Sequence, residues 1–195
     1  MKNVVVKGEL RKDLGKKGTK GVRSKNLIPC VIYGGDNPVH FSVKFSDVKE
    51  LIYTPDFKIA QIEVDGKSYQ AIVKDFQIHP VSEALEHIDF LRLVEGHAIK
   101  VELPVRFYGV SPGVKLGGKL LQTLRKVKVK TTPQYLRDEV KMDISGMDLG
   151  QSIRVRDIES MEGIEIMSSP GIPVATIEIP RALRSAAAAA EKAKK

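Results

Sequence analysis

The chain has 195 residues, of which 42% are hydrophobic, so it can form one large or two small globular domains. A single cysteine excludes an internal disulfide and a metal cluster held by cysteines. No apolar run is long enough to span a bilayer, and the start MKNVVVKGEL does not resemble a signal peptide, which predicts a soluble, cytoplasmic protein.

The formal net charge is +8, and most of it is concentrated at the start of the chain. Residues 1–26 hold nine Lys or Arg and two acids, whereas residues 27–92 hold six and ten. Residues 93–180 are nearly balanced, with twelve and eleven, and residues 181–195 hold five and one. A local excess of this kind is typical of a surface that binds a polyanion.

The basic stretch RKDLGKKGTKGVRSKN, residues 11–26, lies between the strand-like runs VVVKGEL and IPCVIY. Its three glycines, at 15, 18 and 21, predict a loop whose exposed N–H groups and Thr19 hydroxyl bind phosphates beside the lysines. Because strands hold both of its ends, we expect the loop to be presented by a rigid scaffold. The alternative is an ordinary solvated charge run.

Further along the chain, apolar and polar residues alternate, as in half-buried strands. Such runs occupy residues 39–45, 58–64, 68–76, 98–107, 127–131, 140–144, 152–158 and 174–179. Between the second and third of these, Asp65-Gly66 is a favoured two-residue hairpin turn. The pattern predicts a mainly β protein.

A short helix is predicted from Ser46, with apolar residues 48, 51 and 52 on one face. A change of pattern near Arg92 to His97 predicts two β domains, residues 1–93 and 94–180. The last segment, RALRSAAAAAEKAKK at 181–195, has high helix propensity but no apolar stripe. We expect it to be a solvated or disordered tail.

Neither a nucleotide-binding loop nor a catalytic or metal site is favoured by the sequence. GVKLGGK, residues 113–119, has the glycine and lysine spacing of a phosphate loop, but Leu120 follows where magnesium binding needs Ser or Thr, which favours a connecting loop. Catalysis by Cys30 with His79 and Asp89 lacks a diagnostic spacing, as does metal binding by the four histidines, His40, His79, His87 and His97. We expect Cys30 to be a core residue and the protein to be no enzyme, with no cofactor, metal or small-molecule substrate.

Two longer motifs are specific. ELRKDLGKKGTKGVRSKNLIPCVIYGG and DFQIHPVSEALEHIDFLRL resemble the bacterial large-subunit ribosomal protein twenty-five family, which binds 5S rRNA and includes the general stress protein CTC. PVRFYGVSPGVKLGGKL and DISGMDLGQSIRVRDI are similar to the C-terminal domain of the family's long form. The resemblance covers about residues 1–180.

The resemblance implies a six-stranded β-barrel that binds the loop-E region of 5S rRNA, then a second, mainly β domain, with few short helices. The RNA-facing positions it implies are Arg11, Lys12, Gly15, Lys16, Thr19, Lys20, Arg23, Tyr33, Gln77, His87 and Asp89. Cations would meet phosphates, and a few polar side chains would select the site. Asp89 is expected to accept hydrogen bonds from base amino groups, or else to pair with a neighbouring Lys or Arg.

The function implied is that of a structural component of the large ribosomal subunit, with 5S rRNA, neighbouring rRNA and ribosomal proteins as its partners and no membrane contact. The alternative is a stress-induced regulatory RNA-binding protein that associates with the ribosome only transiently. Stoichiometric presence in salt-washed large subunits would distinguish the first from the second.

Overall fold

The structure, a computed structural model, describes residues 3–35, 37–159 and 161–180, so the predicted tail at 181–195 lies outside the described residues. Backbone contacts divide the described residues into two compact units. The first unit contains the residues through Val101 together with Thr132–Asp138, and the second contains the others. The domain limits proposed from the sequence, 1–93 and 94–180, remain a prediction.

Six strands of the first unit close into a barrel, as predicted. They are β1 (Asn3–Leu10), β2 (Leu27–Tyr33), β3 (Val39–Lys44), β4 (Ile59–Val64), β5 (Lys67–Ile78) and β6 (Leu85–Arg92). Their order around the barrel is β1-β3-β2-β6-β5-β4. The barrel closes because β1 pairs with β3 on one side and runs parallel to β4 on the other. Every strand therefore has two neighbours, and none has a free edge.

The barrel core follows directly from the alternating pattern. Every second side chain points inward, and the largest of them, Phe41 and Phe90, are fully buried with their ring centroids 5.9 Å apart. Cys30 is 1% exposed in the same cluster, which confirms it as a core residue. Since one set of side chains fills the core, the alternate set forms the outer surface of the barrel.

The hairpin between β4 and β5 turns at Asp65 and Gly66, as predicted. Both residues have positive φ, 51° and 74°, which is what a two-residue turn between right-twisted strands requires. The predicted helix is also present as α2 (Phe45–Ile52), one residue longer at its start. Its Val48 is fully buried in the barrel core.

The predicted basic loop is wrong, because residues Lys16–Ser24 form an α-helix, α1. The prediction failed because two glycines inside the segment lower its helix propensity and because no residue of α1 is fully buried, so no apolar stripe marked it.

The second unit is mainly β, as predicted, and consists of two sheets. Its helix is α3 (Pro112–Lys115), and its strands are β7 (Ile99–Tyr108), β8 (Lys119–Gln122), β9 (Lys126–Thr131), β10 (Val140–Asp143), β11 (Ser152–Arg154), β12 (Ile164–Ile166) and β13 (Pro173–Glu178). The first residues of β7 belong to the first unit. One sheet has the order β10-β7-β9-β12 and the other the order β11-β13-β8.

Two local predictions in this unit are corrected by the structure. The predicted strand at 152–158 stops at Arg154, because the Arg154 N–H bonds to the Asp157 carboxylate at 2.8 Å and the chain turns into a short 3-10 helix. The predicted loop at 113–119 contains most of α3 and the start of β8. Gly118 packs closely against Ile177, and a side chain would not fit there, since a Cβ would lie 2.5 Å from a methyl carbon of Ile177.

Candidate nucleic-acid interface

Three adjacent strands, β2, β6 and β5, bring four of the predicted RNA-facing side chains to one surface. In β6, two buried core residues alternate with His87 and Asp89, which therefore point outward. The ladder between β5 and β6 places Gln77 opposite His87, and β2 adds Tyr33 from the other side. We call the outward side chains Tyr33, Asp75, Gln77, His87 and Asp89 the barrel face.

A short contact joins two members of the barrel face. His87 Nδ1 lies 2.6 Å from Asp89 Oδ1, and the two side chains are 29% and 37% exposed. From the sequence, Asp89 was expected either to contact a base or to pair with Lys or Arg. Its partner in the structure is a histidine, two residues away on the same side of the same strand.

Asp75 is a member of the barrel face that was not predicted from the sequence. It lies opposite Asp89 in the ladder, and its Oδ1 accepts a hydrogen bond from the Phe76 N–H at 2.9 Å. The strand period was the available signal, since Asp75 precedes Gln77 by two residues. Two carboxylates on a surface expected to face a polyanion require a physical explanation.

Tyr33 retains its hydroxyl proton on this surface. Burial, and then the negative charges of Asp89 and Asp75, raise the pKa of the Tyr33 phenol above its usual 10. The hydroxyl can therefore both donate and accept a hydrogen bond at neutral pH.

Helix α1 lies next to this surface, and its glycines have structural reasons to be there. Gly15 precedes the helix with φ of +97°, a conformation that other residues rarely adopt. Gly18 approaches the backbone of Asp13 so closely that a Cβ would lie 2.6 Å from its carbonyl oxygen. Gly18 was predicted to let an RNA partner come close to the backbone. In the structure, the group that comes close to Gly18 is the protein's own backbone at Asp13.

Lys16 and Lys20 lie four residues apart, on one face of α1, and both are exposed. We call this pair the lysine ridge. Among the residues that the structure describes, no acid forms an ion pair with either lysine. Both charges are therefore available to a polyanion.

Arg23 holds α1 against the barrel. Its Nε and one terminal nitrogen both donate to the carbonyl oxygen of Glu86 in β6, at 3.2 and 2.8 Å. This double contact uses the planar geometry of a guanidinium group, which a lysine lacks. Arg23 consequently fixes α1 beside His87, the next residue of β6.

Arg11 ties the end of β1 to the same helix. One terminal nitrogen donates to the Thr19 hydroxyl at 3.2 Å and to the Asp13 carbonyl at 3.3 Å. Arg11 and Thr19, both predicted to face RNA, therefore also bond to each other, whereas the predicted Lys12 is exposed.

An open groove of about 690 Å³ runs between α1 and the end of β1. Its lining includes three lysines, Lys12, Lys17 and Lys25, and two exposed leucines, Leu10 and Leu14. The lining also includes Arg11 and two acids, Glu9 and Asp13, so the groove adds a surplus of two positive charges to those of the lysine ridge.

Two other candidates from the sequence, Cys30 and His79, have structural roles in the protein. Burial, and secondarily the charge of Asp89, raise the pKa of the Cys30 thiol far above its usual range, so it remains protonated. His79 Nδ1 accepts hydrogen bonds from the N–H groups of Val81 and Ser82 at 3.3 and 3.2 Å, which stabilises a turn. Within residues 3–35, 37–159 and 161–180, no group of three or more suitable side chains is placed to hold a metal ion.

None of the helices in the described part of the chain is long and apolar enough to cross a membrane.

Two sequence-family models match the chain, the Ribosomal L25p family at residues 6–90 and the C-terminal domain of ribosomal protein TL5 at residues 98–181.

The chain is also similar over nearly its whole length to proteins named large ribosomal subunit protein bL25. The one from Cytophaga hutchinsonii is 41% identical, over 98% of this chain and 100% of the relative. The one from Phocaeicola vulgatus is 39% identical over the same shares, and the one from Amoebophilus asiaticus is 40% identical, over 98% and 97%. With this coverage added to the closed barrel and its polar outer face, the chain belongs to the ribosomal L25p family.

Proposed function

We propose that the protein is a structural component of the large ribosomal subunit that binds the loop-E region of 5S rRNA through its first unit. The observation that carries this proposal is the lysine ridge, Lys16 and Lys20, which lies beside the polar barrel face and has no acidic partner among the described residues. The relatives are named as large-subunit ribosomal proteins, which supports the ribosomal setting.

The two parts of the surface have different tasks in this proposal. The lysine ridge, with Lys12 and the groove lysines, contacts phosphates, which supplies salt-dependent affinity and little sequence preference. The barrel face presents hydroxyl, amide, imidazole and carboxylate groups to the shallow minor groove of RNA, where 2′-hydroxyls and base edges are accessible. Arg11, Thr19 and Arg23 hold α1 in place, and Gly15 allows the turn that precedes it.

The experiment is a titration of the full-length chain with 5S rRNA and with an unrelated RNA duplex of the same length, at several salt concentrations. We expect Lys16→Ala and Lys20→Ala to weaken binding to both RNAs and to reduce the slope of log affinity against log salt by about one each. Lys67→Ala is the matched control, because Lys67 is an exposed barrel lysine at the opposite end of β5 from Gln77.

Three results would contradict the proposal. Equal affinity for both RNAs in the unmodified chain would remove 5S rRNA as the specific ligand. Effects no larger than that of Lys67→Ala would show that the lysine ridge does not face the RNA. An unchanged salt slope with lost discrimination would mean that the two lysines contact bases and not phosphates.

A further inference from the structure

Residues 109–119 of the second unit contain the glycine and lysine spacing of a phosphate loop, and the proposed function gives them no task. Three aliphatic side chains of this segment are exposed, Val110 at 62%, Val114 at 39% and Leu116 at 63%. Single exposed apolar residues are common on proteins, but three within seven consecutive residues form a cluster. We call residues 109–119 the apolar loop.

The apolar loop is compact, so its three aliphatic side chains lie near one another. The N–H groups of Lys115 and Leu116 donate to the carbonyl oxygens of Ser111 and Pro112 at 3.2 and 3.0 Å, which forms the turn of α3. A helical rise of 1.5 Å per residue places residues 112–116 within about 6 Å along the axis. Val110 precedes this turn by two residues.

Close packing holds the apolar loop against a neighbouring turn of the second unit. Ser111 is 1% exposed, and its hydroxyl donates to the carbonyl oxygen of Met147 at 2.5 Å. The Gly113 N–H donates to the same oxygen at 3.1 Å, and a Cβ at Gly113 would lie 2.7 Å from the carbonyl carbon of Asp148. A loop fixed in this way loses little conformational entropy on binding, so its exposed side chains are preorganised for a partner.

Two exposed lysines of the apolar loop, Lys115 and Lys119, favour a partner that carries carboxylates. Among the residues that the structure describes, no acid forms an ion pair with either of them. Lys119 lies opposite Glu178 in the ladder, and the tail at 181–195 follows that strand. The tail has five basic residues and one acid, so the two lysines repel it.

RNA matches the apolar loop poorly. Aliphatic side chains make no hydrogen bonds to phosphates or riboses, and the loop contains no aromatic residue or arginine on which an unpaired base could stack. An apolar groove on a protein would bury such side chains favourably. Acidic residues at the rim of that groove would complement the two lysines.

We propose that the apolar loop is a docking site for a second protein of the large ribosomal subunit, one that presents an apolar groove with carboxylates at its rim. The three aliphatic side chains enter the groove, and Lys115 and Lys119 pair with the rim. This inference rests on the proposed function for its setting, and it assigns to the second unit a contact separate from 5S rRNA.

Photocrosslinking in assembled large subunits tests the docking site. Leu116→Cys is made together with Cys30→Ser, so that it is the sole thiol, and is labelled with benzophenone. Met167→Cys in the same background is the matched control, because Met167 is also an exposed apolar residue of the second unit. We expect Leu116→Cys to form a protein crosslink, which nuclease does not shorten, at a yield well above that of the control. A crosslink that nuclease shortens would make RNA the partner, and that result, or a yield no higher than the control, would overturn the inference.

Substitutions within the apolar loop test the chemistry of the partner. With the probe at Leu116→Cys, Val110→Asp should lower the crosslink yield about fivefold or more, because the burial of one valine side chain is lost. Met167→Asp introduces the same charge elsewhere and should leave the yield unchanged. Lys115→Glu combined with Lys119→Glu should lower the yield as well, and an unchanged yield would exclude an acidic rim and overturn the partner proposed.

The titration with 5S rRNA separates this inference from the proposed function. The variants of the apolar loop should bind 5S rRNA like the parent chain, because the lysine ridge is unchanged in them. Normal binding and incorporation without a protein crosslink would overturn this inference alone. A parent chain that neither prefers 5S rRNA nor enters the subunit would contradict the proposed function and the ribosomal partner together.

Discussion

At the scale of single residues, the structure separates cations that hold the protein together from cations that are free to bind a ligand. The guanidinium groups of Arg11 and Arg23 donate to the protein's own oxygens at 2.8 to 3.3 Å. Lys16 and Lys20, in the same helix, are exposed and have no acidic partner among the described residues. Arginine suits the structural positions because its flat guanidinium makes several directed hydrogen bonds. The lysine ammonium is a mobile point charge, which suits contact with phosphates.

Tyr33 provides a test of the charges around the barrel face. The titration of Tyr33 can be isolated by subtracting the ultraviolet titration of Tyr33→Phe from that of the parent chain. We expect this difference to show a phenol that titrates above pH 10. Asp75→Asn should move its midpoint back toward pH 10, because one of the nearby negative charges is removed. Since the folded pKa is raised, this group stabilises the fold below pH 10, and the contribution is lost as pH rises through the folded pKa. An unchanged midpoint in Asp75→Asn would place the Asp75 carboxylate too far from Tyr33 to matter.

Cys30 should be chemically inert in the folded protein. Its thiol is buried and its pKa is raised, so an alkylating reagent should modify it only as fast as the barrel unfolds, and much faster in denaturant. The control is Cys30→Ser combined with Ser68→Cys, which places one thiol on an exposed strand position. Labelling of native Cys30 at the rate of that control would contradict the burial.

At the scale of elements, α1 shows how a helix can form without a buried stripe. The described residues of α1 have no fully buried member. Side-chain hydrogen bonds hold the helix at two places, at Thr19, which accepts from Arg11, and near its end at Arg23, which donates to Glu86. Its position against β2 and β6 therefore depends on a few directed bonds and on the close packing at Gly18.

Two glycines in α1 make a matched pair of substitutions. Either change to Ala should add about 1 kcal/mol of helix propensity. At Gly21 nothing lies within 4 Å of the added Cβ, so Gly21→Ala should raise the free energy of unfolding or leave it unchanged. At Gly18 the Cβ would meet the Asp13 carbonyl at 2.6 Å, so overpacking of about 1–3 kcal/mol should make Gly18→Ala destabilising. Denaturant unfolding monitored by circular dichroism measures both, and equal effects would mean that the contact at Asp13 relaxes freely.

The elements also show how far the sequence alone could go. The barrel strands were predictable because inward and outward residues alternate along them. The turn between β4 and β5 was predictable because Asp-Gly favours a two-residue hairpin turn. Helix α1 was not predictable, since glycines and exposed lysines are typical of loops. The short strands β8 and β12 were not predictable either, because they have too few residues for a clear alternation. For the site, a spacing of two placed His87 and Asp89 on one side of a strand, but only coordinates could show that they bond to each other.

At the scale of the whole molecule, two strand lysines of the second unit lie close to acids, whereas the lysine ridge of the first unit does not, in the described part of the chain. In the second unit β9 alternates lysines with buried valines, yet Lys130 lies 3.3 Å from Glu165 and Lys128 lies 3.8 Å from Glu102. In the first unit the lysine ridge has no such acidic neighbour in the described part of the chain. Paired surface charges attract a polyanion less than unpaired ones do.

This contrast predicts where the salt dependence of RNA binding originates. Lys128→Ala and Lys130→Ala, made in the full-length chain, should leave both the affinity for 5S rRNA and its salt slope unchanged, whereas removal of the lysine ridge should reduce both. The same salt titration measures all four variants. A slope reduced equally by β9 variants would show that the second unit also contacts phosphates of this RNA.

The order of strands in the barrel has a consequence for the timing of synthesis. Tyr33 ends β2, whereas His87 and Asp89 belong to β6, and only the parallel pairing of these two strands places the three side chains on one surface. A growing chain that has emerged only through β5 already has both lysines of the ridge, but it has neither the carbonyl of Glu86 that anchors α1 nor the polar groups of β6. Because this pairing joins segments far apart in the chain, it cannot form early. Under the proposed function, a nascent chain would therefore attract RNA without discrimination first, and become selective only when its sixth strand is in place.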